Sequence, residues 1–117
     1  MAPGRGRFFR GSQLAYNQSM PRPTQLTPEE IADSHEMVPA WEIRGDFLHR
    51  EFTFGDFREA FGFMTAIAVI AEELDHHPNW SNVYNRVTID LSTHDAGGLT
   101  TLDFDLARRI DMLKGND

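Results

Sequence analysis

Apolar positions along this chain recur at two different spacings. Over "DFREAFGFMTAIAVIAEEL", Phe57, Phe61, Met64, Ile67, Ala71 and Leu74 return at helical intervals, which predicts a central helix with one stripe against a core. Asp56 and Glu59 before it stand in capping-box spacing. From Asn82 to Ser92 the period becomes two: Val83, Val87, Ile89 and Leu91 share one face, and Tyr84, Arg86, Thr88 and Asp90 the other. This β segment is either one bent strand or two short ones.

The remaining elements follow from punctuation. In "LTPEEI", Thr27 is a cap, Pro28 suits the first helical position and Glu30 completes a capping box, so a short helix runs to about Val38-Pro39. "WEIR" and "FLHREFTF" read as strands joined at Gly45-Asp46, a hairpin signal. Gly97-Gly98 serves a turn, and Thr100 then caps a last helix with Asp103 in its first turn, where the free amides favour a carboxylate. Leu106, Ile110 and Leu113 form its stripe, and Lys114-Gly115 ends it. The order α-β-β-α-β(β)-α predicts a two-layer α+β domain: an antiparallel sheet of about four strands with helices on one face.

Charge divides the chain. Residues 1–24 hold Arg5, Arg7, Arg10 and Arg22 with no acid and no apolar period, so they read as a disordered basic extension, with an organellar transit peptide as the alternative. Removing those four positives from a net charge of −7 leaves −11 for residues 25–117, the expected domain. A body this acidic repels phosphate backbones, which argues against direct nucleic-acid binding. At 117 residues there is room for one core and none for a separate cofactor domain. The absence of cysteine excludes disulfides and sulfur-ligated zinc, and fits a reducing, cytoplasmic setting. No run approaches the roughly 20 apolar residues that span a bilayer.

Three of the five histidines lie in "EELDHHPNWSNVYNRVTIDLSTHDAGGL". His76 and His77 stand where the central helix must stop, because Pro78 disfavours helical geometry in the residue before it. His94 follows the β segment, and Asp103 opens the next helix. Helix end, strand end and helix start can meet at one rim of the sheet. Three readings are open: a solvated helix cap, a metal site completed by Glu72, Asp75 or Asp95, and acid/base chemistry, for which histidine's ordinary pKa near neutrality is suited. His35 and His49 read as ordinary surface residues.

The stretch from Glu73 to Asp111 resembles the signature of the pterin-4a-carbinolamine dehydratases, also known as dimerisation cofactors of a homeodomain transcription factor. The likeness runs from about Leu26 to Ile110 and is densest after Phe61. Glu72, His76, His77, Pro78, Trp80, Tyr84, His94 and Asp103 fill the motif positions. The arginine-rich head falls outside the family pattern.

The resemblance implies dehydration of 4a-hydroxytetrahydropterin to quinonoid dihydropterin, which recycles tetrahydropterin for aromatic amino acid hydroxylases. It needs neither metal nor other cofactor. His76, His77 and His94 would be the acid/base set. Asp75, His76 and His77 with Ser92, Thr93, His94 and Asp95 would line the pterin, flanked by Pro78. Glu72 and Asp103 would orient imidazoles. Trp80 would contact substrate or, like Tyr84, serve as a core or interface aromatic. The family also implies a homodimer or homotetramer, and in some members a protein-partner role.

Overall fold

The computed structural model describes residues 23–115. Four strands and three helices follow one another as α1 (Pro28–His35), β1 (Glu42–Arg44), β2 (Phe47–Thr53), α2 (Phe57–Leu74), β3 (Asn79–Val83), β4 (Arg86–Leu91) and α3 (Thr101–Lys114), with a single 3-10 turn at His94–Ala96. The sheet is antiparallel with strand order β1-β2-β4-β3. The fold is thus the α+β arrangement expected. The arginine-rich head lies outside the described residues except for Pro23 and Thr24. No helix among the described residues is long and apolar enough to cross a membrane.

Local chemistry sets the boundaries. Thr27 and Glu30 form a reciprocal capping box on α1, and Thr100 and Asp103 form one on α3. On α2 only half of the box exists: Asp56 accepts from the Glu59 amide, whereas the Glu59 carboxylate accepts from the Gly55 amide. Gly45 turns the β1–β2 hairpin at φ 58°, a conformation that costs glycine nothing.

Chain order then positions the rim. After β2 the chain crosses the sheet as α2, starts β3 at the far edge, and returns as β4 between β3 and β2. Because β3 and β4 are antiparallel with Asn79 opposite Asp90, the residues just before β3 and just after β4 emerge at the same end. Val87, Ile89 and Leu91 of β4 pack toward the helices with Leu48, Phe52, Ile67, Leu106 and Ile110, all buried. Phe47, His49, Asn79, Thr88, Asp90 and Ser92 alternate onto the face without helices.

Several packing expectations are corrected. The buried face of α2 is Ala60, Phe63, Ile67, Ile70 and Ala71, while Phe57 and Phe61 are exposed. Both sets have helical spacing, and a helix apolar on nearly every side does not announce its phase. Of the two arrangements left open for the β segment, the structure has two strands, because Tyr84 adopts a left-handed φ of 52° and reverses the chain. Val83 therefore belongs to β3 and is exposed rather than sharing a face with Val87. Leu113 is likewise exposed, and Phe104 and Ala107 complete the α3 stripe. Helix α1 ends at His35, with isolated turns carrying the chain on to Val38.

Candidate active site

Helix α2 ends in a Schellman arrangement that separates its two histidines. Asp75 is left-handed (φ 51°, ψ 46°), its amide donates to the Glu72 carbonyl, and the His76 amide reaches back to Ala71. The reversal turns His76 into the protein and leaves His77 outside. His76 is buried, and its Nε2 lies 2.6 Å from Asp103 Oδ1. His77 is exposed, and its Nε2 lies 2.6 Å from Glu72 Oε2, one turn back on α2. A carboxylate only accepts, so Nε2 of each neutral ring carries the hydrogen, and Nδ1 is the atom able to take or return a proton.

Asp103 serves both roles that the sequence offered. Its Oδ1 holds His76, while Oδ2 accepts from the Thr100 amide at 2.9 Å and the Thr93 hydroxyl at 2.8 Å. Since Thr93 has given its one hydrogen to Asp103, the Thr100 hydroxyl is the donor in their 2.7 Å contact. Every member of this network is buried and hydrogen-bonded, the condition under which a buried polar cluster rigidifies its surroundings. The Thr93–Gly98 bridge closes the loop that carries His94.

A cavity of about 200 Å³ opens here. The helix end contributes Asp75, His76 and His77; the strand end contributes Ser92, Thr93, His94 and Asp95. His94 is exposed on the 3-10 turn, and its ring has no hydrogen-bond partner among the described residues. Three imidazoles therefore face one cavity in three states: buried on a carboxylate, exposed on a carboxylate, and exposed without one. Among the described residues no group of three His, Asp or Glu side chains is placed to hold a metal ion.

Pro78 lines a second cavity of about 370 Å³, which shares His77, Ser92 and His94 with the first and adds Phe47, Asn79 and Asp90. Trp80 lines neither: it pairs with Ile89, on the helix side of the sheet, and packs against the core. Tyr84 sits in the turn at the opposite end of β3. His49 and His35 are not plain surface residues: His49 Nδ1 meets Asp90 Oδ1 at 2.6 Å, and His35 Nε2 meets the Trp41 carbonyl at 2.6 Å. Sequence reading missed Thr100 as a partner of Thr93, and missed Asp90; period two places Asp90 on the face of Ser92, which was the available signal.

Rim histidines on a four-stranded antiparallel sheet backed by helices define the class to which comparison also leads. The family described as Pterin 4 alpha carbinolamine dehydratase matches residues 24–113, and the chain belongs to it. A Solibacter usitatus protein provisionally named pterin-4-alpha-carbinolamine dehydratase is 53% identical over 90 residues, 77% of this chain and 95% of that protein. A Prochlorococcus marinus protein (strain MIT 9515) of the same provisional name is 53% identical over 92 residues, covering 79% and 96%. Among solved structures, a Brucella melitensis transcriptional coactivator/pterin dehydratase superposes with TM-score 0.75 at 41% identity, over 79% of this chain and all of that one. A pterin dehydratase-like protein identified as a RuBisCO assembly factor in the alpha-carboxysome matches with TM-score 0.54 at 27% identity, over 66% and 89%.

Proposed function

We propose that this protein dehydrates 4a-hydroxytetrahydropterin to quinonoid dihydropterin and water. The observation that carries the reading is the pair of imidazole–carboxylate contacts, His76–Asp103 and His77–Glu72, opening with His94 on one cavity. The reaction asks for two proton movements and no electron transfer. One imidazolium protonates the 4a-hydroxyl, the C4a–O bond breaks with water leaving, an imidazole takes the hydrogen on N5, and the N5 pair forms the C4a–N5 double bond. Carboxylate-backed rings are suited to this, because the carboxylate fixes the tautomer and stabilises the imidazolium that forms.

The product would return to a reductase, placing the protein in tetrahydropterin recycling for an aromatic amino acid hydroxylase. The exposed Phe57, Phe61 and Val69, one face of α2, support self-association of the kind the family implies, which light scattering checks. For the reaction itself, purified protein should accelerate decay of freshly generated 4a-hydroxytetrahydropterin, followed by its ultraviolet absorbance. His94→Ala should lower that rate by about 10² to 10⁴, the range for a positioned acid or base. Unaccelerated decay would overturn the reading.

A further inference from the structure

A third cavity, of about 160 Å³, shares no residue with the two that the histidines border. It lies between the end of α1 and the N-terminal half of α3. Thr101, Phe104, Asp105 and Arg108 line it from α3, at the i, i+3, i+4, i+7 spacing of one helical face. Ser34 of α1, with Met37 and Val38 in the turns that follow, closes the other side. Asp103, which holds His76, points from a different face of the same helix.

The lining has two kinds of surface. Val38 and Phe104 are buried in the fold yet border the cavity, and Met37 is exposed beside them, so the floor is apolar. The rim is polar and charged. Asp105 and Arg108 stand 4.0 Å apart, beyond hydrogen-bond reach, and the other polar contact of the Arg108 guanidinium among the described residues is the weakly accepting Met112 sulfur at 3.8 Å. Arg109, next in the chain, instead donates to Glu73 at 2.7 Å. The Ser34 and Thr101 hydroxyls have no hydrogen-bond partner among the described residues. A cation, an anion and two hydroxyls therefore stand ready for an occupant.

That set selects a ligand with an apolar body and a head of two opposite charges. An apolar cavity of about 150 Å³ holds a benzene-sized group, so the floor takes one branched or aromatic side chain. A guanidinium pairs with a carboxylate through two N–H donors, and a carboxylate accepts from an ammonium. An α-amino acid carries both charges on one carbon, which matches the neighbouring Arg108 and Asp105. A simple carboxylate would bring like charge to Asp105, and a simple amine would bring it to Arg108. We propose that this cavity binds a free α-amino acid with an apolar side chain: Arg108 holds the carboxylate, Asp105 the ammonium, and Val38, Phe104 and Met37 the side chain. Its residues lie apart from both histidine cavities, so the site does not depend on the dehydratase reading.

The test titrates full-length protein with L-phenylalanine, L-leucine, phenylpropionate, phenylethylamine, glycine and N-acetyl-phenylalaninamide while amide chemical shifts are followed by two-dimensional NMR. L-phenylalanine or L-leucine should bind with Kd on the order of 0.1–1 mM, the range for so few atoms. The shifted amides should be those of Met37, Val38, Phe104 and Arg108, with His76, His77 and His94 unmoved. Phenylpropionate and phenylethylamine, each lacking one charge of the head, should bind about fivefold more weakly than L-phenylalanine, the scale of one exposed ion pair. Glycine, without the apolar body, should bind at least about tenfold more weakly. Arg108→Gln should erase the preference for L-phenylalanine over phenylethylamine, and Asp105→Asn the preference over phenylpropionate. The Arg108 and Asp105 side chains are 45% and 53% exposed, so both variants should fold and keep the wild-type melting temperature.

No shift at these residues at about tenfold the expected Kd of either amino acid would overturn the site. Phenylpropionate binding as tightly as L-phenylalanine would overturn the amino-acid assignment. N-acetyl-phenylalaninamide doing so would make the cavity a peptide-docking groove and overturn it too. Shifts confined to the histidine cavities, or variants that bind every probe as the wild type does, would overturn the location.

Discussion

His76 and His77 are adjacent in sequence and identically bonded, each 2.6 Å from a carboxylate oxygen, yet they occupy opposite environments. The side chains of His76 and Asp103 are 6% and 0% exposed; those of His77 and Glu72 are 57% and 77% exposed. Distance alone would rank the pairs as equal. Burial separates them, because a contact removed from water cannot be replaced by solvent when one partner is lost, whereas an exposed pair exchanges its partner for water at little net cost. The inner pair therefore ties the end of α2 to the start of α3, and the outer pair stands open to solvent with His77 bordering the cavity.

The largest effect is expected from cutting the inner pair. Asp103→Ala removes the acceptor for His76, Thr93 and the Thr100 amide at once. It should destabilise the protein by about 3–5 kcal/mol, the range for leaving a buried partner uncompensated, and should lower the dehydration rate as His76 loses its orientation. Urea unfolding and initial rates measure the two. If stability falls by less than about 1 kcal/mol, solvent reaches His76 and the contrast in burial is not the operative one.

The outer pair should separate the two readouts. His77→Ala should lower the rate by about 10² to 10⁴, with stability moving by no more than about 1 kcal/mol. Glu72→Gln should also leave stability nearly unchanged and lower kcat less than His77→Ala does, since it removes only the group behind the ring. Equal loss of stability in the inner and outer variants would dissolve the comparison.

The common rim of the two pairs was legible before the fold was known, and their difference in burial was not. Capping residues are local, so Thr27, Thr100 and Asp103 declared both helix starts, and Pro78 declared where α2 must release its histidines. The rim followed from element order, because antiparallel β3 and β4 bring Asn79 opposite Asp90. What stayed hidden depends on choices made by tertiary packing. Helix α2 offers apolar residues on nearly every side, so periodicity could not choose Ala60 and Phe63 over Phe57 and Phe61. Tyr84-Asn85 lacks the glycine that usually marks a two-residue turn, so the sequence left one bent strand and two short ones both open and did not place the break between β3 and β4. His49 and Asp90 are 41 residues apart and meet only through the β2–β4 register, which no local pattern announces.

Two non-glycine residues among those described adopt left-handed backbone, Asp75 beside the imidazoles and Tyr84 at the other end of β3, with φ of 51° and 52°. The first conformation divides His76 from His77. The second only reverses the chain, and it is held by Asn82, whose amide donates to the carbonyls of Tyr84 and Arg86. Left-handed geometry costs a residue with a Cβ roughly 1–2 kcal/mol, and glycine escapes that cost but gains freedom in the unfolded chain. Tyr84→Gly should therefore raise stability by about 0.5–1 kcal/mol with no change in dehydration rate. Matched urea unfolding and rate measurements check both parts. A rate change beyond about threefold would show that the far turn sets the position of the imidazoles through β3, so that the division between His76 and His77 is not made locally at Asp75.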